Sequence, residues 1–185
     1  IRTLLARKWF LAVLLAACVI AQAALARAYL AGNDQASDRS WLLFWLALGA
    51  GILIKGPIAP LVALTTVAAL FAFDRDFSWF KRLRPLPGLL LMALVAAPWL
   101  IAITVKSGGA FWAEAVGKDL LGKVGEGQES HGGWPGYYAL IFPLFIWPLP
   151  VIAIKGGLAA LTQSKTDARL RFLVAWYLPW WILVE

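Results

Sequence analysis

Water cannot be the solvent for most of this chain: five apolar tracts, at residues 9–30, 41–73, 86–105, 135–154 and 170–185, make up well over half of it. At about 1.5 Å of helix rise per residue, about 20 such residues cross a hydrocarbon core of about 30 Å. Leucine and alanine dominate the tracts without an amphipathic period. That pattern belongs to helices immersed in lipid, not to helices lying on its surface. Of 185 residues, 62% are hydrophobic and 15% charged, against about 45–50% and about 25% in soluble domains. A soluble fold of this size has no means of hiding so much apolar surface, and a disordered chain would be polar. The net charge of +7 would point to nucleic acid in a soluble protein. Here basic loops on the cytoplasmic side of a membrane account for it, and no nucleic-acid partner is expected. The expected fold class is all-α: a polytopic transmembrane helical bundle of about six spans.

The tract 41–73 requires a break. As one helix its 33 residues would be about 50 Å long, too long for one span without extreme tilt. Gly56-Pro57 at its centre interrupts helical hydrogen bonding and favours a turn. Two short helices, 41–54 and 58–73, are therefore expected to meet at Lys55-Gly56-Pro57 near the membrane boundary. Irregular backbone there needs protein or a water-filled cavity around it. Lysines and arginines in short loops set the orientation. Arg75, Lys81, Arg82 and Arg84 in 74–84, and Lys155, Lys165, Arg169 and Arg171 in 155–171, make both segments cytoplasmic. Loop 106–134 and Lys55 then face outside. The same parity makes 31–40 cytoplasmic and leaves residues 1–8 outside, in conflict with the charges of Arg2, Arg7 and Lys8. A signal peptide is the lesser reading of the N-terminal segment, because its apolar run exceeds the usual span of about 7–15 residues and further spans follow. The chain starts at Ile1 and stops within an apolar run, as expected of a window on a larger membrane protein.

Few residues can carry chemistry. The single cysteine, Cys18, lies in an apolar run, which excludes an intrachain disulfide and a cysteine-based metal site. The single histidine, His131, excludes paired-histidine metal motifs. No metal and no cofactor is assigned to this chain. Lys55 is the most informative charge, since a lysine beside Gly-Pro at a membrane boundary is costly unless it snorkels or binds something. The alternative to snorkelling is an ammonium meeting the phosphate of an anionic lipid or lipid-linked donor, a role suited to a point charge on a flexible stem. The longest polar stretch, 106–134, is rich in glycine and has helical spacing at Phe111, Ala115 and Leu120. It leads into Gly127-Gln128-Glu129-Ser130-His131-Gly132-Gly133-Trp134-Pro135-Gly136-Tyr137-Tyr138. There Trp134, Tyr137 and Tyr138 offer faces for a sugar or a lipid, or else form an interfacial aromatic belt. His131 and Glu129 offer hydrogen bonds to hydroxyls. Lys123 lies either on a solvated helix face with Glu114, Lys118 and Asp119 or beside Lys55 as a second phosphate contact. Pro98-Trp99 and Trp147-Pro148 mark kinks or helix ends near the boundary.

Taken in order, Gly49-Ala50-Gly51-Ile52-Leu53-Ile54-Lys55-Gly56-Pro57, the basic turn, Ala97-Pro98-Trp99 and the Glu129–Tyr138 loop resemble the bacterial GT-C glycosyltransferases. The likeness is to the aminoarabinose-transferase and protein-mannosyltransferase-like branch, and it covers roughly residues 9–184. It implies that residues 1–185 form part of a single transmembrane domain, with 106–134 as its periplasmic loop in a bacterial inner membrane. It implies a sugar taken from a polyprenyl-phosphate carrier and passed to lipid A, another glycan or a protein. It sets Lys55 and Lys123 near the donor phosphate, and His131, Trp134, Tyr137 and Tyr138 over the cavity. The family's catalytic carboxylate lies upstream of this window, and Glu129 is only a weak candidate for that role. The span matching 9–30 departs from the family pattern, with Lys8-Trp9 where relatives tend to carry an acidic residue.

A transporter or flippase module for an anionic or lipid-linked substrate would also use broken helices and a lysine. Its polar groups belong at the membrane midplane, whereas those of this sequence gather at one face. A structural subunit without a site is the third reading.

Overall fold

The computed structural model describes residues 2–31, 39–112 and 137–184, and all regular structure among them is helical. The chain forms α1 (Arg2–Leu30), α2 (Ser40–Lys55), α3 (Ile58–Asp74), a 3₁₀ turn (Ser78–Leu83) and α4 (Pro85–Ser107). A single turn at Ala110–Trp112 follows, then α5 (Tyr137–Phe145), α6 (Pro150–Gln163) and α7 (Ala168–Val184). Two compact units are distinguished, Ile1–Ala96 with Ile154–Val184, and Ala97–Ala153.

Leucine and alanine are strong helix formers, so the boundaries are set by breakers. Gly56, at φ +67° and ψ −141°, ends α2, and Pro57 caps α3. This is the expected division of the 41–73 tract. Arg75 and Arg84, both at positive φ, close α3 and the 3₁₀ turn, and Pro85 opens α4 with the φ a helix start requires. The expected span 135–154 is corrected: Pro148 and Pro150 divide it, because neither donates a backbone hydrogen bond and each bars helix in the residue before it. α6 consequently runs to Gln163, through Lys155-Gly156-Gly157. Ala12–Leu30 and Pro85–Ser107 are long and apolar enough to cross a membrane, while α2 and α3 are apolar but shorter. Among the described residues two helices meet these measures, which does not confirm the expectation of about six spans.

The core of the first unit is made of small residues and fitted aromatics. Ala21, Ala24, Leu25 and Ala28 line one face of α1 at helical spacing and meet Phe44, Trp45, Ala47 and Leu48 of α2. Ala59, Ala63, Val67 and Leu70 of α3 and Phe172 and Ala175 of α7 complete the cluster. Helices in lipid gain little hydrophobic drive from meeting each other, so close approach of small residues supplies the attraction. A Cβ built on Gly51 would lie 2.4 Å from the Ala59 Cβ, so α2 and α3 touch backbone to backbone just past their turn. A Cβ on Gly88 would lie 1.8 Å from Trp45 Nε1. The outside of this unit is apolar, with Leu86 82% and Leu15 65% exposed, as a lipid solvent requires.

The end of α1, the start of α2, the end of α3 and the start of α7 share one end of the first unit. Tyr29 Oη donates to Asp74 Oδ2 at 2.6 Å, and Asp74 pairs with Arg171. Arg171 also donates to the Ser164 and Lys165 carbonyls at 2.8 Å each. Arg82 caps the C-terminus of α1 through the Ala28 and Ala31 carbonyls. Trp45 Nε1 donates to the Leu83 carbonyl at 2.7 Å. The hairpin of α2 and α3 thus doubles back, leaving Lys55 at its closed end, away from the cluster of Arg75, Lys81, Arg82 and Arg84.

Candidate functional site

The closed end of the hairpin is built from three consecutive residues with separate tasks. Lys55 is the last residue of α2, where a cation complements the negative end of the helix dipole. Gly56 N–H still bonds the Ile52 carbonyl at 2.9 Å, completing the last turn, and the glycine then adopts a backbone that side-chain-bearing residues avoid. Pro57 starts α3 directly, and its carbonyl accepts from Leu61 N–H at 2.8 Å. A cationic side chain and the N-terminus of a second helix therefore share one tight turn. Lys55 is exposed, and it makes no hydrogen bond or ion pair with the described residues. The start of α3 offers an anion at most two unpaired N–H groups, of Ile58 and Ala59, because Pro57 and Pro60 have none and Leu61 N–H bonds the Pro57 carbonyl; the positive end of the helix dipole adds to the Lys55 charge.

Tyr137 is the first residue of α5 and is exposed, and Tyr138 follows it in the helix. Lys123, Glu129, His131 and Trp134 lie outside the described residues, as does the expected helical stretch beyond Trp112. Lys55 belongs to the first unit and Tyr137 to the second. Within the second unit Gly108 and Gly109, both at positive φ, turn the chain back after α4. Trp99 then meets Phe111 edge to face at 5.7 Å, and Trp112 Nε1 donates to Thr104 Oγ1 at 2.7 Å. This aromatic group is absent from the sequence-based candidates apart from Trp99. The glycine pair followed by Phe111-Trp112 was its available signal.

The polar cluster of Tyr29, Asp74 and Arg171 was also missed. Its signal is an acid ending one apolar tract and a base starting another. Every group in it has a protein partner, which makes it a fastener and not a binding site. Beside it, Asp76 accepts from the Ser78 hydroxyl at 2.6 Å and the Ser78 N–H at 2.9 Å. Those bonds, led by the hydroxyl, hold its carboxyl below the usual aspartate range. Among the described residues no three histidine, cysteine or acidic side chains gather into a metal site.

No family model and no solved structure matches the chain. Over 139 residues, 75% of its length, the chain is 24% identical to the undecaprenyl phosphate-alpha-4-amino-4-deoxy-L-arabinose arabinosyl transferase 1 of Pseudomonas fluorescens (strain Pf0-1). The matched part spans 24% of that protein. The likeness is thus distant, and it is to a transferase of a lipid-linked sugar.

Proposed function

We propose that this chain is part of a membrane-bound glycosyltransferase that takes a sugar from a polyprenyl-phosphate donor, and that the Lys55-Gly56-Pro57 turn receives the donor phosphate. The observation that carries the reaction class is the likeness, over three quarters of the chain, to an arabinosyl transferase whose name specifies an undecaprenyl-phosphate-linked sugar. The Lys55 turn supports the site. The acceptor is lipid A, another glycan or a protein, and the active face is periplasmic, the side opposite the basic loops in a multi-pass bundle.

In the reaction an acceptor oxygen attacks the anomeric carbon of the sugar. The bond from that carbon to the phosphate oxygen breaks, and the electron pair leaves with the lipid phosphate. Negative charge grows on the phosphate as it departs, so a fixed cation and helix N–H groups beside it lower the barrier. The acceptor loses its proton to a base, which the described residues do not supply. His131, Trp134, Tyr137 and Tyr138 shape the cavity, with Lys123 a second phosphate contact and Glu129 the weakest candidate for the base. The rival transporter reading draws support from broken helices alone, and Lys55 at an exposed helix end does not favour it.

The test is sugar transfer from a polyprenyl-phosphate donor by the full protein. Lys55→Ala should lower the rate about 10²–10³-fold, the usual cost of one charge-stabilising contact. Lys55→Arg should retain part of it, and Lys81→Ala, at the other end, should retain nearly all. Transfer at the parent rate by folded Lys55→Ala would reduce the lysine to an anchor.

A further inference from the structure

On the outside of the first unit a groove runs between α1 and α7, lined by Val19, Ala23 and Ala26 on one side and Phe172 and Leu173 on the other, with Arg169 also on its wall and, at its floor, the buried Gln22, whose Oε1 has no hydrogen-bond partner among the described residues. It encloses about 320 Å³. Its floor is small because alanines line α1, and Val19 and Leu173 remain half exposed along its lips. The groove is open along its length and mostly apolar, a shape and surface that suit an extended hydrocarbon chain.

Arg169 identifies the polar end of that occupant. Two residues further on, Arg171 is held by Asp74 and two carbonyls. The Arg169 guanidinium, by contrast, has no hydrogen bond or ion pair among the described residues; only its backbone N–H is engaged, by Asp167 Oδ1 at 2.8 Å. It stands at the end of the unit that also carries Arg75, Lys81, Arg82 and Arg84. A guanidinium without a partner among the described residues, at the end of a mostly apolar groove, matches a phosphate joined to an acyl chain in both charge and geometry. We propose that the groove holds one acyl chain of an anionic phospholipid from the leaflet at this basic end, with the lipid phosphate on Arg169. The site is separate from the Lys55 turn and does not depend on the glycosyltransferase assignment.

Native mass spectrometry of the full protein, released from micelles containing phosphatidylglycerol or phosphatidylcholine, tests this. Arg169→Gln should lower retained phosphatidylglycerol about fivefold, the worth of one basic side chain at an anionic surface, and leave phosphatidylcholine unchanged. Ala23→Phe, which fills the groove from an exposed position, should reduce both. A photocrosslinker at Ala26 should capture lipid. Phosphatidylglycerol retention by Arg169→Gln at the parent level overturns the proposal. So does an equal loss of both lipids in that variant, or capture of another helix of the protein at Ala26. Arg169 is on the surface, so its variant decides the matter even where Ala23→Phe fails to fold.

Discussion

Gly88→Ala is the smallest change that challenges the packing of α4 against α2. The new Cβ would stand 1.8 Å from Trp45 Nε1 and 2.2 Å from both Cδ1 and Cε2, inside the indole ring. Trp45 is 5% exposed and edge to face with Phe44 at 5.0 Å, so it has little room to retreat. Overpacking of this kind costs about 1–3 kcal/mol, and three short contacts put it at the upper end. Moving the ring also breaks its hydrogen bond to the Leu83 carbonyl, about 1 kcal/mol more. Alanine returns about 1 kcal/mol through its helix propensity. The net loss is about 2–3 kcal/mol. Thermal unfolding in one detergent, ranked against the parent, measures it. Gly157→Ala is the control, because its Cβ meets open space on a helix and should stabilise slightly. Trp45→Phe should relieve part of the clash, so the double variant should lose less than the sum of the single losses. Gly88→Ala melting at or above the parent temperature would refute the close approach of α4 to Trp45.

Gly56→Ala meets no atom within 4 Å, yet its φ of +67° and ψ of −141° should cost about 1–3 kcal/mol in stability. Asp74→Ala should cost about 1–3 kcal/mol by stranding partly exposed Arg171 and Tyr29, and combining it with Tyr29→Phe should add less than the second change alone. The Asp76 carboxyl lies below the usual range in the fold, so its stabilisation is complete above the unfolded aspartate value and is lost as pH falls through the folded one. Hydrogen exchange at the Ser78 amide should reveal that opening in acid, and Asp76→Asn should weaken the turn already at neutral pH.

Gly56-Pro57 is legible in the sequence because its effect is local: no neighbour is needed to break a helix there. The clustering of basic turns at one end is legible too, since parity along the chain requires it. Trp147-Pro148 was read as a kink or a helix end, and it is a helix end: with Pro150 it ends one helix and delays the next, a boundary that the apolar run across it hid from the reading of 135–154 as one span. The pairing of Asp74 with Arg171 spans 97 positions and depends on α3 meeting α7, which no local pattern encodes. Gly88 reads as an ordinary helical glycine until Trp45 is found against it. Of the candidate site, Lys55 and its turn follow from the sequence, while the meeting of α2's end with α3's start is a matter of backbone geometry.

The side-chain bonds described between elements of the first unit all lie near Tyr29, Asp74, Arg82 and Arg171. None of these described bonds lies towards Lys55. Such a body is a lever with its fulcrum at the basic end. α2 is 16 residues long, about 24 Å, so a tilt of about 5° at the fulcrum swings Lys55 through about 2 Å. The charge proposed to meet the donor phosphate is thus mounted at the end of the hairpin that a small tilt moves farthest.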